Sequence, residues 1–142
     1  DGQSHRPYMV HRALLGSVER FFGVLLEHYA GSLPFWLAPT QVVIIPIADR
    51  HQPYVKQLAT DLTQLSIRAH IDQRNERMNL KIRDAQTQKI PYMLIVGDKE
   101  MEAKTVSVRQ RDGTQIDAIP IDQFLAKISN EISLADEPVN GT

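Results

Sequence analysis

The sequence predicts an α/β domain built on a mixed five-stranded sheet flanked by three helices, with a separate strand and helix ahead of it. Three observations carry this reading. Val42-Val43-Ile44-Ile45-Pro46-Ile47 and Tyr92-Met93-Leu94-Ile95-Val96-Gly97 are continuous apolar runs, as strands buried on both faces require. Between and after them, apolar residues recur at helical spacing. Asp112-Gly113 lies between two alternating segments and signals a hairpin turn.

The elements follow in chain order. Tyr8 to Ala13 reads as a short strand, and Gly16-Ser17 as a turn with Ser17 as a helix N-cap. Val18 to Tyr29 is helical, and Phe21, Phe22, Val24, Leu25 and Leu26 make it apolar on most sides. Such a helix is normally buried in a large body, which one strand and one helix cannot supply. Gly31 and Pro34 end it and open a linker over 32–41, which Trp36 and Leu37 are expected to pin to a surface. After the strand at 42–47, Pro53 suits a helix start, and Tyr54, Val55, Leu58, Leu62 and Leu65 keep helical spacing. Ile67, Ala69 and Ile71 alternate with polar residues as a strand. Met78, Ile82 and Ala85 mark the second helix, before the strand at 92–97. Val106 and Val108 lead into the hairpin, with Ile116 and Ala118 on the return strand. Phe124, Leu125, Ile128 and Ile132 form the last helix, and 135–142 reads as a loose tail. Two βαβ crossovers imply parallel strands with right-handed connections.

Composition narrows the function classes. Of 142 residues, 42% are hydrophobic and 23% charged, as in a globular protein. The formal net charge is −1, so any nucleic-acid site must be a local cluster rather than a global field. There is no cysteine, which excludes disulfides and a thiolate metal site from this chain alone. No apolar run suffices to span a bilayer, and the first residues hold no hydrophobic signal core. The chain does not begin with methionine, and a piece of a longer protein is expected.

Ligands of open α/β sheets bind outside the carboxyl ends of the parallel strands. Those ends are Ala48-Asp49-Arg50, Asp72-Gln73-Arg74-Asn75 and Gly97-Asp98-Lys99-Glu100, all strongly polar. Arg77, Lys81 and Arg83 follow the middle one, and Arg109 and Arg111 are expected on the same side. Guanidinium, amide and carboxylate groups are those that read base edges: arginine donates, carboxylates accept, asparagine does both. The plain alternative is a solvated surface, the usual reading of one such cluster. Phe21 and Phe22 read as core rather than as stacking platforms. His5, His28, His51 and His70 show no mutual ligand spacing, and no phosphate-binding glycine motif or Ser-His-Asp arrangement occurs.

"RPYMVHRALLGSVERFFGVLLEHYAG" resembles the last active-site motif of class II aminoacyl-tRNA synthetases. "RNERMNLKIRDAQTQKIPYMLIVGDKE", followed by "VSVRQRDG", resembles the C-terminal anticodon-binding domain of the threonyl-tRNA synthetases. The resemblance implies four segments: the end of a catalytic domain at 1–31, a linker at 32–41, an anticodon-binding domain at 42–134 and a tail at 135–142. It implies that Arg20 contacts the terminal phosphate of ATP, for which an always-charged planar fork is suited. It implies that Ser17 touches the threonine pocket, and that His11 is a zinc ligand in the full-length enzyme. It puts Asn75, Arg83, Glu100 and Arg109 at the anticodon bases and Arg77 at a basic position nearby, with His70 and Lys99 as further phosphate contacts.

The expected partners are the anticodon stem-loop of tRNA(Thr) and the catalytic domain of a parent enzyme. That parent would be a cytoplasmic homodimer, with no membrane association, using ATP, Mg²⁺ and Zn²⁺. The chain alone is expected to bind none of these cofactors productively and to be inactive in threonine activation. The alternatives are a non-catalytic synthetase-like protein that binds or senses tRNA, and an α/β nucleotide-binding domain unrelated to tRNA. "GSVER" favours the enzyme, because a pure binding module has no use for an ATP arginine.

Overall fold

The computed structural model describes residues 2–133, so the expected tail at 135–142 lies outside the described residues. The chain divides between Gly31 and Ser32 into two compact units.

The first unit holds one helix, α1 (Val18–His28). Ser17 caps it: its hydroxyl accepts from the Arg20 N–H at 3.4 Å and donates to Glu19 at 2.8 Å. No residue of α1 is buried, and Phe21, Phe22 and Val24 are exposed. The strand expected over 8–13 does not form; these residues have no regular structure. A strand needs a neighbour to take its backbone N–H and C=O groups, and no described strand pairs with them.

The second unit contains the expected mixed sheet. Its strands are β1 (Val42–Pro46), β2 (Ala69–Ile71), β3 (Tyr92–Val96), β4 (Thr105–Gln110) and β5 (Gln115–Pro120). They lie in the order β2-β1-β3-β4-β5, with β1 parallel to β2 and β3, and β4 antiparallel to β3 and β5. Among the described residues four α-helices accompany the sheet rather than three: α2 (Gln52–Gln64), α3 (Met78–Thr87), α4 (Asp98–Ala103) and α5 (Ile121–Ser133). The unexpected one is α4, only six residues long. Too short to display an apolar period, it is held by Glu100, whose carboxylate accepts the Gly97 N–H at 3.0 Å.

The pleat sends alternate residues to opposite faces. Val42, Ile44, Leu94, Val96, Val106 and Val108 meet α2 through Val55, Leu58 and Leu62, and α5 through Phe124 and Ile128. Val43, Ile45 and Met93 meet α3 through Ile82 and Ala85 on the second face. Within the segment 32–41, Phe35 rather than Trp36 enters the first core, where it contacts Tyr92 edge-on at 5.6 Å between ring centroids. Tyr92 meets Phe124 in the same way at 5.7 Å.

The hairpin turns at Asp112-Gly113, where Gly113 has φ +92°, a conformation that costs glycine least. The return strand departs from simple alternation. Val106 opposes Ile119 and Val108 opposes Ile116, so β5 carries one extra residue. Ala118 takes φ +52° in this bulge and is exposed, and Ile119 packs on the core in its place.

Candidate nucleic-acid interface

The three loops expected to form the site do converge. Parallel pairing of β1 with β2 and β3 brings 47–52, 72–77 and 97–100 to one edge of the sheet. Four of their nine charged residues are spent on each other, as Arg50 with Asp98 and Arg74 with Asp72. Arg50 donates through Nε to Asp98 at 2.7 Å and through a terminal nitrogen to the other Asp98 oxygen. His51 is fully buried; its Nδ1 accepts the Ala48 N–H at 3.1 Å, so Nε2 carries the proton donated to Asp98 at 2.9 Å. The Arg50 hydrogen bond, aided by His51, holds the Asp98 carboxyl far below the usual carboxylate range. Together these contacts fasten the loop after β1 to the first turn of α4.

A second clamp orders the loop after β2. Arg74 donates to both oxygens of buried Asp72, at 3.0 and 2.7 Å, and to Asp84 of α3 at 2.7 Å. Its guanidinium lowers the Asp72 pKa. Buried Lys81 donates to the Asp72 backbone carbonyl at 3.1 Å. Asn75 and Arg77 are thereby carried on an anchored loop, and both are exposed.

Glu100 also serves the fold. Besides its bond to Gly97, it accepts from the hydroxyl of Ser107 on β4 at 2.9 Å. Both oxygens are engaged, though a carboxylate offers about four acceptor positions. A Cβ on Gly97 would stand 2.8 Å from Ile47 Cδ1 and 3.0 Å from Glu100 Oε2, so glycine lets these side chains close over the strand end.

Arg109 lies two residues beyond Ser107, about 7 Å along β4 on the same face. It opposes Met93 and so shares the second face of the sheet, the face on which α3 packs. Pairing with Met93 puts it toward the amino end of β3, not at the carboxyl edge where sequence reasoning expected it. Arg111 leaves the cluster altogether: beyond the end of β4, it donates to the Leu33 carbonyl at 2.6 Å and ties down the segment before Phe35.

The arginines of the second unit thus sort into two groups. Arg50, Arg68, Arg74 and Arg111 are engaged with carboxylates or backbone carbonyls. Among the described residues, the side chains of Arg77, Arg83 and Arg109 have no hydrogen-bond or ion-pair partner, and the Arg109 Nε is buried without one. Exposed Asn75 and Lys99 are likewise uncommitted, and His70 is exposed on β2. A buried donor without a partner is costly, and its cost is relieved when a ligand supplies an acceptor.

In the first unit, Arg20 and Ser17 line one shallow cleft with Leu15, Phe21 and Val24. His11 Nε2 contacts the Met9 sulfur at 3.0 Å. Among the described residues no group of three His, Cys, Asp or Glu converges, so zinc at His11 would need its other ligands from outside them. Sequence reasoning assigned nothing to His51 and overlooked Ser107, Gln52 and the burial of Lys81. The spacing of Gly97 and Glu100 was the available signal for the cap. The partners of His51 and Ser107 lie 47 and 7 residues away, and no local pattern announces them.

Similarity to known proteins agrees with this geometry. The sequence profile described as "Anticodon binding domain" matches residues 41–131. The chain is 58% identical over 133 residues to the threonine–tRNA ligase of Sulfurihydrogenibium sp., covering 94% of this chain and 21% of that protein. To the threonine–tRNA ligase of Aquifex aeolicus it is 56% identical over 132 residues, 93% of this chain and 21% of the other. The chain therefore spans about a fifth of the length of these relatives. Among solved structures, the RNA binding domain of threonyl-tRNA synthetase from Cryptosporidium parvum superposes with a TM-score of 0.77 at 37% identity, over 85% of this chain and 30% of that one. Prolyl-tRNA synthetase from the same organism reaches 0.63 at 25% identity, over 72% of this chain and 23% of its own. Through the match over residues 41–131, which form the sheet, its helices and the uncommitted arginines, the chain belongs to the anticodon binding domain family.

Proposed function

We propose that this chain is the C-terminal part of a threonyl-tRNA synthetase, and that its sheet domain selects tRNA(Thr) by its anticodon. The observation that carries the reading is the sorting of the arginines. The resemblance assigns Asn75, Arg83, Glu100 and Arg109 to the anticodon bases and Arg77 to a basic position nearby, and of these five side chains all but that of Glu100 are uncommitted among the described residues. Threonine codons are ACN, so every threonine anticodon ends in G and U. Guanine offers O6 and N7 to an arginine and N1–H and N2–H to a carboxylate, and uracil offers two carbonyls beside N3–H. Arg109, two residues along β4 from the Ser107 that Glu100 engages, and Glu100 itself suit guanine. Asn75 and Arg83 suit uracil.

In the complete enzyme, residues 1–31 would end the catalytic domain and 32–41 would connect it to the anticodon domain. Arg20 would hold the terminal phosphate of ATP, Ser17 would border the threonine pocket, and His11 would join zinc ligands supplied by the rest of the protein. ATP, Mg²⁺ and Zn²⁺ would serve that enzyme, a cytoplasmic homodimer. No helix among the described residues is long and apolar enough to cross a membrane. The exposed apolar side chains of α1 are consistent with a helix completed by a catalytic body.

Binding of the chain to stem-loops bearing the threonine anticodon, or single changes at its G or U, tests the reading at one fixed salt concentration. The expected result is a loss of about 1–3 kcal/mol for each wrong base. Equal affinity for all loops would overturn it. The isolated chain is also expected to show no threonine-dependent pyrophosphate exchange.

A further inference from the structure

The loops after β1 and β2 enclose a cleft of about 500 Å³ whose lining includes Ile47, Gln52, Asn75 and Lys81. Two of its polar groups are incompletely used. The Gln52 side-chain oxygen is buried and has no hydrogen-bond partner. Lys81 is 5% exposed, and its ammonium, with three hydrogens to donate, has one described acceptor, the Asp72 carbonyl. Ile47 is apolar yet 55% exposed at the end of β1. The cleft thus combines an unanswered acceptor, nearby donors from Lys81 and Asn75, and an apolar wall.

We propose that this cleft holds one unstacked keto base, with Gln52 as a specificity-determining residue that nothing above assigns. The inference rests on the anticodon reading. The base would give its imino N–H to Gln52 Oε1 and present its adjacent carbonyl to Lys81 or Asn75, with its ring against Ile47. Uracil (N3–H beside O4) and guanine (N1–H beside O6) both have this edge. Cytosine and adenine reverse it, offering a ring-nitrogen acceptor beside an amino donor. With the Gln52 amide oriented as it stands, a reversed edge would set lone pair against lone pair at Gln52 and donor against donor at Lys81. The volume lies within the range of ligand-binding clefts, and unstacked loop bases are the usual object of sequence-specific RNA recognition. Arg109, opposite Met93 near the amino end of β3, does not line this cleft, so it and the cleft would read different bases.

The test uses the 142-residue chain and anticodon stem-loops carrying U→C or G→A changes. The intact chain should discriminate at both positions. Gln52→Met, similar in length but without the amide, should cut discrimination about tenfold at one position only, the scale of one lost buried partner. Gln52→Ala should do the same, and which position responds identifies the base. Arg109→Ala should spare that position and affect the other. Full discrimination in both Gln52 variants, or equal loss at both positions, would overturn the proposal while leaving the anticodon reading standing. An intact chain that discriminates at neither position would remove both.

Discussion

Glu100 separates a side chain that holds the fold from one that reads a base, because the geometry asks it to do both. Replacing it by alanine removes the acceptor of the Gly97 N–H at 3.0 Å and of the Ser107 hydroxyl at 2.9 Å. A helix-capping bond contributes about 1 kcal/mol. Ser107 is 9% exposed, and stranding its hydroxyl costs about 1–2 kcal/mol more. Glu100→Ala should therefore destabilise the sheet domain by about 2–3 kcal/mol, or roughly 10 °C in thermal midpoint for a domain near 100 residues. Glu100→Gln keeps one oxygen for Gly97 or Ser107 and should cost about half as much. Urea unfolding of the three proteins measures this, and a Glu100→Ala change below about 0.5 kcal/mol would refute the capping argument.

The same variants then meet RNA. If the carboxylate accepts from guanine, Glu100→Gln keeps the fold but loses preference for G in the anticodon, since one acceptor becomes a donor. If Glu100 is only a cap, the glutamine variant binds with unchanged preference. Removing a negative charge near phosphates would then tighten binding, and that combination would refute a reading role.

Arg109→Ala should weaken cognate binding and erase selectivity at one base, whereas Lys56→Ala, on an exposed position of α2, should leave binding within about 0.5 kcal/mol; parallel titrations compare them. Phe124→Ala empties a fully buried site between the sheet and α5 and should cost about 3–5 kcal/mol in chemical denaturation. Acid should weaken the domain through Asp98 and Asp72, whose folded pKa values lie below the ordinary one because of Arg50 and Arg74 respectively. Their contribution is complete above the unfolded value of about 4 and is lost as pH falls from there through the folded values. Unfolding midpoints between pH 7 and 2.5 should fall most steeply below about pH 4, and Asp98→Asn should flatten that fall.

Elements with local signals were legible before folding. Continuous apolar runs marked β1 and β3, helical spacing marked α2, α3 and α5, and Asp112-Gly113 marked the hairpin. The sequence also marked the loops that meet at the carboxyl edge, because right-handed crossovers leave little freedom in arranging parallel strands. What it left undecided was which charges in those loops are free. Arg50, Arg74, Arg83 and Arg109 are the same residue type in similarly polar surroundings. Only folding brings Asp98 beside Arg50, 48 positions away, and Asp72 and Asp84 around Arg74, and leaves Arg83 and Arg109 without partners among the described residues. The short helix α4 is too brief to show a period, whereas the bulge that turns Ala118 outward and the burial of the Gln52 oxygen were undecided for the same reason as the arginines. Each is settled by neighbours distant in sequence, and periodicity records only what a residue does within its own element.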